Sequence, residues 1–275
     1  MRTDSALAIL EGLFSANHEP VFDPPKRVQH RTLPVEFPTR KCPAGGVRCR
    51  SPLMADGLLH LDTDPNVLAI SPYPLIASTW VEIEPGVEDR LEHFADVAIR
   101  RRDSSVVFLK YESYEIQKER PWLENKARVL ADYYRDVLGC AYRVLNETSL
   151  RIEPRLSNLR TMWQHREVRS QPSQLDRVRD ALLAHPTPVS IHTLWEDVGR
   201  PALAIWWEGD STPTHLSGPN PVFTAVMQLA MLGEVRLDLG QPLSMQSLVT
   251  RVCHVPCFGK IRIPCEEGNA DPLAV

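Results

Sequence analysis

The stretch EHFADVAIRRRDSSVVFLKY, residues 92–111, sets Asp96 early and Lys110 late in two strand-like runs joined by a polar turn. Side chains alternate along a strand, so positions 108 and 110 share a face, and Asp96 can point to that side from the neighbouring strand. A carboxylate and an amine so placed make a structural salt bridge, stand as exposed strand charges, or belong to a reactive centre. Other acids stand nearby in register. Glu112 lies two residues past Lys110 on the same strand face, and Glu82 and Glu84 lie on the preceding run. Asp56 sits within an upstream helix. Each of these also reads as a solvated surface acid.

The elements that position these groups are legible in the surrounding pattern. In SPLMADGLLHLDTDP, Ser51 suits a helix N-cap and Pro52 the first helical position. Leu53, Met54, Leu58 and Leu61 make a stripe at helical spacing, and Pro65 stops it. Four strand-like runs follow, at 67–70, 75–84, 93–100 and 106–111. Pro121 then precedes the periodic set Trp122, Ala127, Leu130, Tyr133, Tyr134 and Val137, and Gly139 closes that helix. CAYRVL, 140–145, reads as one more strand. Helix, strands, long helix and strand describe an α/β module whose sheet is covered by the long helix.

Upstream, ALAILEGLF reads as a short amphipathic helix, and residues 19–50, rich in proline and basic residues, as an extended arm. After residue 150 the character changes. An arginine-rich helical stretch leads to SIHTLWEDVG, an apolar run PALAIWWEG, a Pro/Gly/Ser/Thr loop at 209–221, a helix from 223 to 232 and a hairpin in EVRLDLGQPLS. Helices followed by a small hairpin describe a winged-helix-like domain. The expected division is 1–34 helix and arm, 35–150 α/β core, 151–172 helical linker, 173–252 winged-helix-like domain and 253–275 irregular tail. Trp195, Trp206 and Trp207 read as core, or as a partner pocket.

Composition narrows the class. With 43% hydrophobic and 24% charged residues the 275-residue chain is that of a folded soluble protein, and its net charge of -4 argues against a stoichiometric DNA coat. No stretch approaches the roughly 20 apolar residues of a spanning helix, so no membrane partner and a cytoplasmic location are expected. Cys253, Cys257 and Cys265, with His254, gather near the end and could supply zinc ligands. The CHVPC spacing is not that of a zinc knuckle, and reduced structural thiols are the simpler reading.

An ordered series of short motifs resembles the TnsA-like transposon endonucleases, whose core is of the restriction-enzyme PD-(D/E)xK type. The chain reads FPTRK at 37–41, SPLM at 51–54, LDTDPNV at 61–67, SPYP at 71–74, ADV at 95–97 and FLK at 108–110. PRLSNLRTMWQHR further resembles the asparagine-containing helix that follows the family's nuclease core. The resemblance covers about residues 35–165 and implies a restriction-endonuclease-like mixed sheet flanked by helices.

In that family, two or three carboxylates hold Mg²⁺, the ion activates a water, and a lysine steadies it or the phosphorane. The resemblance assigns Asp96 and Lys110 to this site, with Asp96 the metal ligand. Two acids of the pattern are missing, because Phe108 replaces the acid of E-x-K and Met54 that of S-x-L-E. Neither side chain gives Mg²⁺ an oxygen ligand. The expectation is a degenerate nuclease core that binds DNA or a transposase-type protein within a transposition or mobile-element system. One alternative is an active Mg²⁺-dependent endonuclease in which an acid such as Glu112 has moved into place. The other is a protein-interaction scaffold without nucleic acid. Phosphate contacts are expected from Arg100, Arg101 and Arg102 at the hairpin turn and from Arg151, Arg155 and Arg160, with Arg166, Arg169, Arg177 and Arg179 nearby.

Overall fold

A computed structural model describes residues 4–24, 35–84, 86–166, 172–199, 204–205, 214–215 and 220–252. The chain forms two compact units, Met1–Ile152 and Glu153–Val275.

The first unit opens with helix α1 (Asp4–Leu13), followed by strands β1 (Val35–Pro38) and β2 (Gly46–Cys49), helix α2 (Pro52–Thr63) and strands β3 (Val67–Pro72), β4 (Ile76–Glu84), β5 (Val87–Phe94), β6 (Val97–Arg101) and β7 (Val106–Tyr111). Helices α3 (Tyr114–Glu119) and α4 (Trp122–Leu138), strand β8 (Ala141–Leu145) and the short helix α5 (Glu147–Leu150) complete it. The central sheet has the order β3-β6-β7-β8. Its first two pairings are antiparallel and β7–β8 is parallel, so the sheet is mixed. A parallel neighbour needs a crossover, which α3 and α4 supply.

One face of this sheet meets α1 and α4, where Leu10, Ala98, Phe108, Leu130, Tyr134, Leu138 and Tyr142 form a single apolar cluster. Leu130, Tyr134 and Leu138 recur every four residues and so line one face of α4. Gly139 ends the helix at φ 62°, the left-handed conformation a C-terminal glycine takes without steric cost. Helix α2 packs on β7 from the other direction. Ser51 caps it by accepting the Met54 N–H, and the whole expected stripe, Leu53, Met54, Leu58 and Leu61, is buried. Its far end is closed by Lys41, whose Nζ donates to the carbonyls of Leu61 (2.8 Å) and Asp64 (2.6 Å).

Two sequence expectations change here. The arm at 19–50 contains an antiparallel hairpin, β1–β2, because the CPAGG turn lets Phe37 pair with Val47 and both bury their side chains. The run at 93–100 is not one strand. It breaks at Ala95–Asp96, with β5 paired to β4 in a separate two-stranded ribbon and β6 in the central sheet. A nearly continuous apolar run, residues 94–99 with only Asp96 polar within it, crosses the break and hides it in the sequence.

The second unit contains α6 (Arg155–Gln164), α7 (Pro172–Ala184), β9 (Val189–Ser190), α8 (Ile191–Val198), β10 (Ala204–Ile205), β11 (Thr214–His215), α9 (Pro221–Leu232), β12 (Val235–Leu237) and β13 (Leu248–Arg251). Helices α7, α8 and α9 pack together around Val178, Leu182, Leu194, Val226 and Leu229. The three-stranded antiparallel sheet runs β12-β13-β9, so β12 pairs with β13 rather than within EVRLDLGQPLS. The stretch read as a linker contributes α6, which packs on α9. Trp206, Trp207 and residues 253–275 lie outside the described residues. Among the described residues no helix is long and apolar enough to cross a membrane.

Candidate functional site

The β5–β6 break fixes Asp96 by its backbone before its side chain is considered. Its N–H donates to the Leu109 carbonyl (2.9 Å), and its carbonyl accepts from the Tyr73 N–H (2.9 Å). The side chain is fully buried. Lys110 reaches it from β7, with Nζ 3.3 Å from Oδ1, 3.3 Å from the Phe94 carbonyl and 4.7 Å from the centre of the Phe94 ring. The acid and the lysine singled out by sequence therefore meet.

A third residue, absent from the sequence reading, controls the pair. Arg50, between the end of β2 and the Ser51 cap, donates from Nε to Asp96 Oδ1 (2.5 Å) and from Nη2 to Oδ2 (2.9 Å). Nη2 also donates to the Tyr111 carbonyl. Oδ2 accepts in addition from the Tyr111 N–H at 2.7 Å. Each carboxylate oxygen thus accepts two donors, which fills its lone-pair capacity. The fork geometry of a guanidinium on a carboxylate makes this a strong, directional pair. Nothing in the sequence marks Arg50 except that a basic residue precedes a helix cap.

The charges around the pair press on one another. Burial works against the Arg50 charge, but hydrogen bonds and attraction to Asp96 outweigh it and raise its pKa. Lys110 is shifted down by burial, with Asp96 offsetting part of the loss and Arg50 adding to it. His93 is pushed down to about 3, by burial first and then by Lys110, Lys126 and Arg50. Its neutral ring lies 3.0 Å from the Tyr142 hydroxyl through Nε2.

Phe108 and Met54 are both fully buried. The Phe108 ring packs 4.4 Å from that of Tyr134, between Ala98 and Tyr142 in register, so it is part of the core under α4. Met54 Sδ lies 3.4 Å from the Tyr73 hydroxyl. Glu112 is half-buried and close enough for its charge to favour the charged forms of Arg50, Lys110 and Lys126. Asp56 is bonded to Arg151 Nε at 2.7 Å and takes no part in the Asp96 cluster. Glu82 and Glu84 stand on β4, and their side chains lie outside the described residues.

The arginines expected at phosphates are spread over both units and several are occupied. Arg100 pairs with Glu11 (3.0 Å) and lies over the Phe14 ring. Arg102 donates to the Pro65 carbonyl at 3.3 Å. Arg101 flanks the β6–β7 turn, and Arg151 is held by Asp56. Arg155 begins α6, and Arg160 is exposed further along it. Arg166 stacks 3.5 Å over Trp163, Arg177 is exposed, and Arg179 is clamped by Glu234 and Asp176. Arg169 lies outside the described residues.

Cys42, Cys49 and Cys140 are buried free thiols, and the cysteines expected near the end, with His254, lie outside the described residues. Among the described residues no cluster of three or more His, Cys, Asp or Glu side chains is placed to hold a metal ion. No family model matches the chain, and no curated protein matches it.

Proposed function

We propose that residues 35–150 are a TnsA-like nuclease-type core that has lost metal-dependent catalysis and acts by binding DNA, in the cytoplasm, within a transposition or mobile-element system. The observation that carries this reading is the Asp96 carboxylate. Arg50, Lys110 and the Tyr111 N–H already fill both its oxygens, and a Mg²⁺ ion, which needs oxygen ligands in near-octahedral order, would have to displace them. The mixed sheet with helices on it, the meeting of Asp96 with Lys110 and the apolar burial of Met54 and Phe108 support the same reading. In the second unit, the order α7, β9, α8, α9, β12 and β13, with the short β10–β11 pair between α8 and α9 and with β9 joining the β12–β13 pair, supports a winged-helix-like domain. The buried face of α9 turns that helix toward its own core, so a transposase-type protein is the partner that best suits this domain.

Calorimetric titration of Mn²⁺ into wild type and Asp96→Ala, with and without a short duplex, tests the reading together with a nicking assay. No saturable heat and no nicking are expected. Saturable binding that Asp96→Ala abolishes would establish the active endonuclease instead, with Asp96, Lys110 and Glu112 as its residues and Mg²⁺ as its ion.

A further inference from the structure

The β4–β5 ribbon has two unlike faces. Ala77 and Leu91 pack into the apolar cluster at α4, and His93, paired with Ala77, is buried against Tyr142. Strand alternation puts Ile76, Ser78 and Trp80 on the other side, with Glu92 and Arg90 directly across from Ser78 and Trp80. That side is open. Trp80 is 62% exposed and Ile76 53%, and Ser78, Arg90 and Glu92 are exposed with them.

Charge on the ribbon is one-sided. Residues 76–94 hold five acids, Glu82, Glu84, Glu88, Asp89 and Glu92, against the single Arg90, a net charge of -4 that equals the net charge of the whole chain. That arginine is engaged within the face: Nε donates to Ser78 Oγ (3.0 Å), and Nη2 lies 3.5 Å from Glu92. Two positions beyond Trp80, Glu82 is paired directly across from Glu88. Like charges so placed destabilise a strand pair, and a cation set between them removes that cost. The same charge turns other occupants away. It repels a DNA phosphate, and a second copy presenting this face would bring -4 against -4.

We propose that this face is a docking surface for an extended, arginine-rich segment of a partner protein, with Trp80 as its apolar seat and the acids at 82, 88 and 92 as its charge match. A guanidinium lies flat on an indole and still offers its fork of donors to a carboxylate, a combination that a lysine ammonium does not match. Tryptophan is also among the residues that most often anchor protein interfaces. Among the described residues β4 and β5 pair only with each other, so each has an outer edge at which an extended segment can add backbone hydrogen bonds. The surface goes beyond the DNA-binding reading, which needs neither Trp80 nor these acids.

The test uses the full chain and a fluorescent peptide of alternating arginine and threonine, with a lysine–threonine peptide of equal charge and a short duplex as parallel arms. Saturable binding of the arginine peptide is expected, about fivefold tighter than that of the lysine peptide and about fivefold weaker in Trp80→Ala. Glu88→Lys turns the facing pair into opposite charges. This variant is expected to resist urea at least as well as wild type while losing about tenfold in arginine-peptide affinity. Duplex affinity is expected to be the same in wild type and Trp80→Ala. Absent or unsaturable peptide binding, affinity unchanged by Trp80→Ala, or equal affinity for the two peptides would overturn the docking face. Duplex affinity lost in Trp80→Ala would assign the face to DNA and overturn it as well. Peptide binding as expected in a chain that binds no duplex would support the face and remove the DNA reading.

Discussion

Gly57 in α2 lies directly under the ring of Tyr111 on β7: a Cβ at position 57 would sit 2.1 Å from Tyr111 Cε1. Tyr111 is the residue whose N–H and carbonyl hold Asp96 and Arg50, so this helix glycine sets the depth of the whole cluster. Gly57→Ala gains helix propensity of about 1 kcal/mol but forces the ring or the helix to move, a packing conflict of about 1–3 kcal/mol or more. The expected result is net destabilisation by urea unfolding, together with faster exchange of the Tyr111 amide. A stabilised variant with an unchanged amide would show that the ring moves aside freely.

Removing Arg50 takes the two guanidinium bonds from the buried Asp96 carboxylate and leaves it only Lys110 and the Tyr111 N–H. Arg50→Met is expected to destabilise the first unit by about 3–5 kcal/mol. Adding Asp96→Leu should recover part of that, since it removes the stranded carboxylate, although Lys110 and the Tyr111 N–H then lose their acceptor. Urea unfolding of the single and double variants measures the coupling. Additive losses would mean that the two side chains act independently.

His93 ties stability to mildly acidic pH. Its folded pKa of about 3 lies below the ordinary value of 6.5, so between these values the unfolded chain binds more protons and stability falls as pH drops. From pH 7 to pH 5 this one group should cost about 2 kcal/mol. His93→Gln keeps a polar group for the Tyr142 hydroxyl and does not titrate there. Its loss of stability over the same interval should be smaller than that of wild type by about that amount. Parallel pH profiles for the two proteins would refute the assignment.

Asn158, from the motif that resembles the helix after a TnsA-like core, has a structural task within the second unit. Its side-chain amide donates to the carbonyls of Leu239 (2.9 Å) and Gln241 (2.7 Å) and accepts from the Leu243 N–H (3.0 Å). Asn158→Leu removes three buried bonds worth about 1 kcal/mol each. Hydrogen exchange should accelerate at Leu243, with no change at the Asp96 cluster. Protection retained at Leu243 would show that the 239–243 loop holds its own shape.

Much of the first unit was legible because its signals are local. The Ser51–Pro52 cap, the Leu130–Tyr134–Leu138 stripe and the Gly139 stop each follow from neighbours in the chain. The meeting of Asp96 with Lys110 followed from strand alternation across one hairpin. Arg50 did not follow, since it lies 46 residues from Asp96 and only the tertiary fold brings β2 against the β5–β6 break. The break itself was hidden because hydrogen bonding, not side-chain pattern, separates the two sheets. The arginines show the same limit: charge alone does not reveal that Arg151 is held by Asp56 or Arg179 by Glu234.

The burial of Met54 and Phe108 also has a consequence for how this protein can change over generations. A carboxylate introduced at either place would be sealed away from water, Phe108 inside the cluster under Tyr134 and Met54 beneath Tyr73. Such a lone buried charge costs several kcal/mol, a large share of the 5–15 kcal/mol that keeps a typical domain folded. No single substitution at these two positions leads from this core to a metal-binding one without first passing through a poorly folded chain. The packing that secures the sheet acts as a ratchet, holding these two positions apolar against mutation and selection.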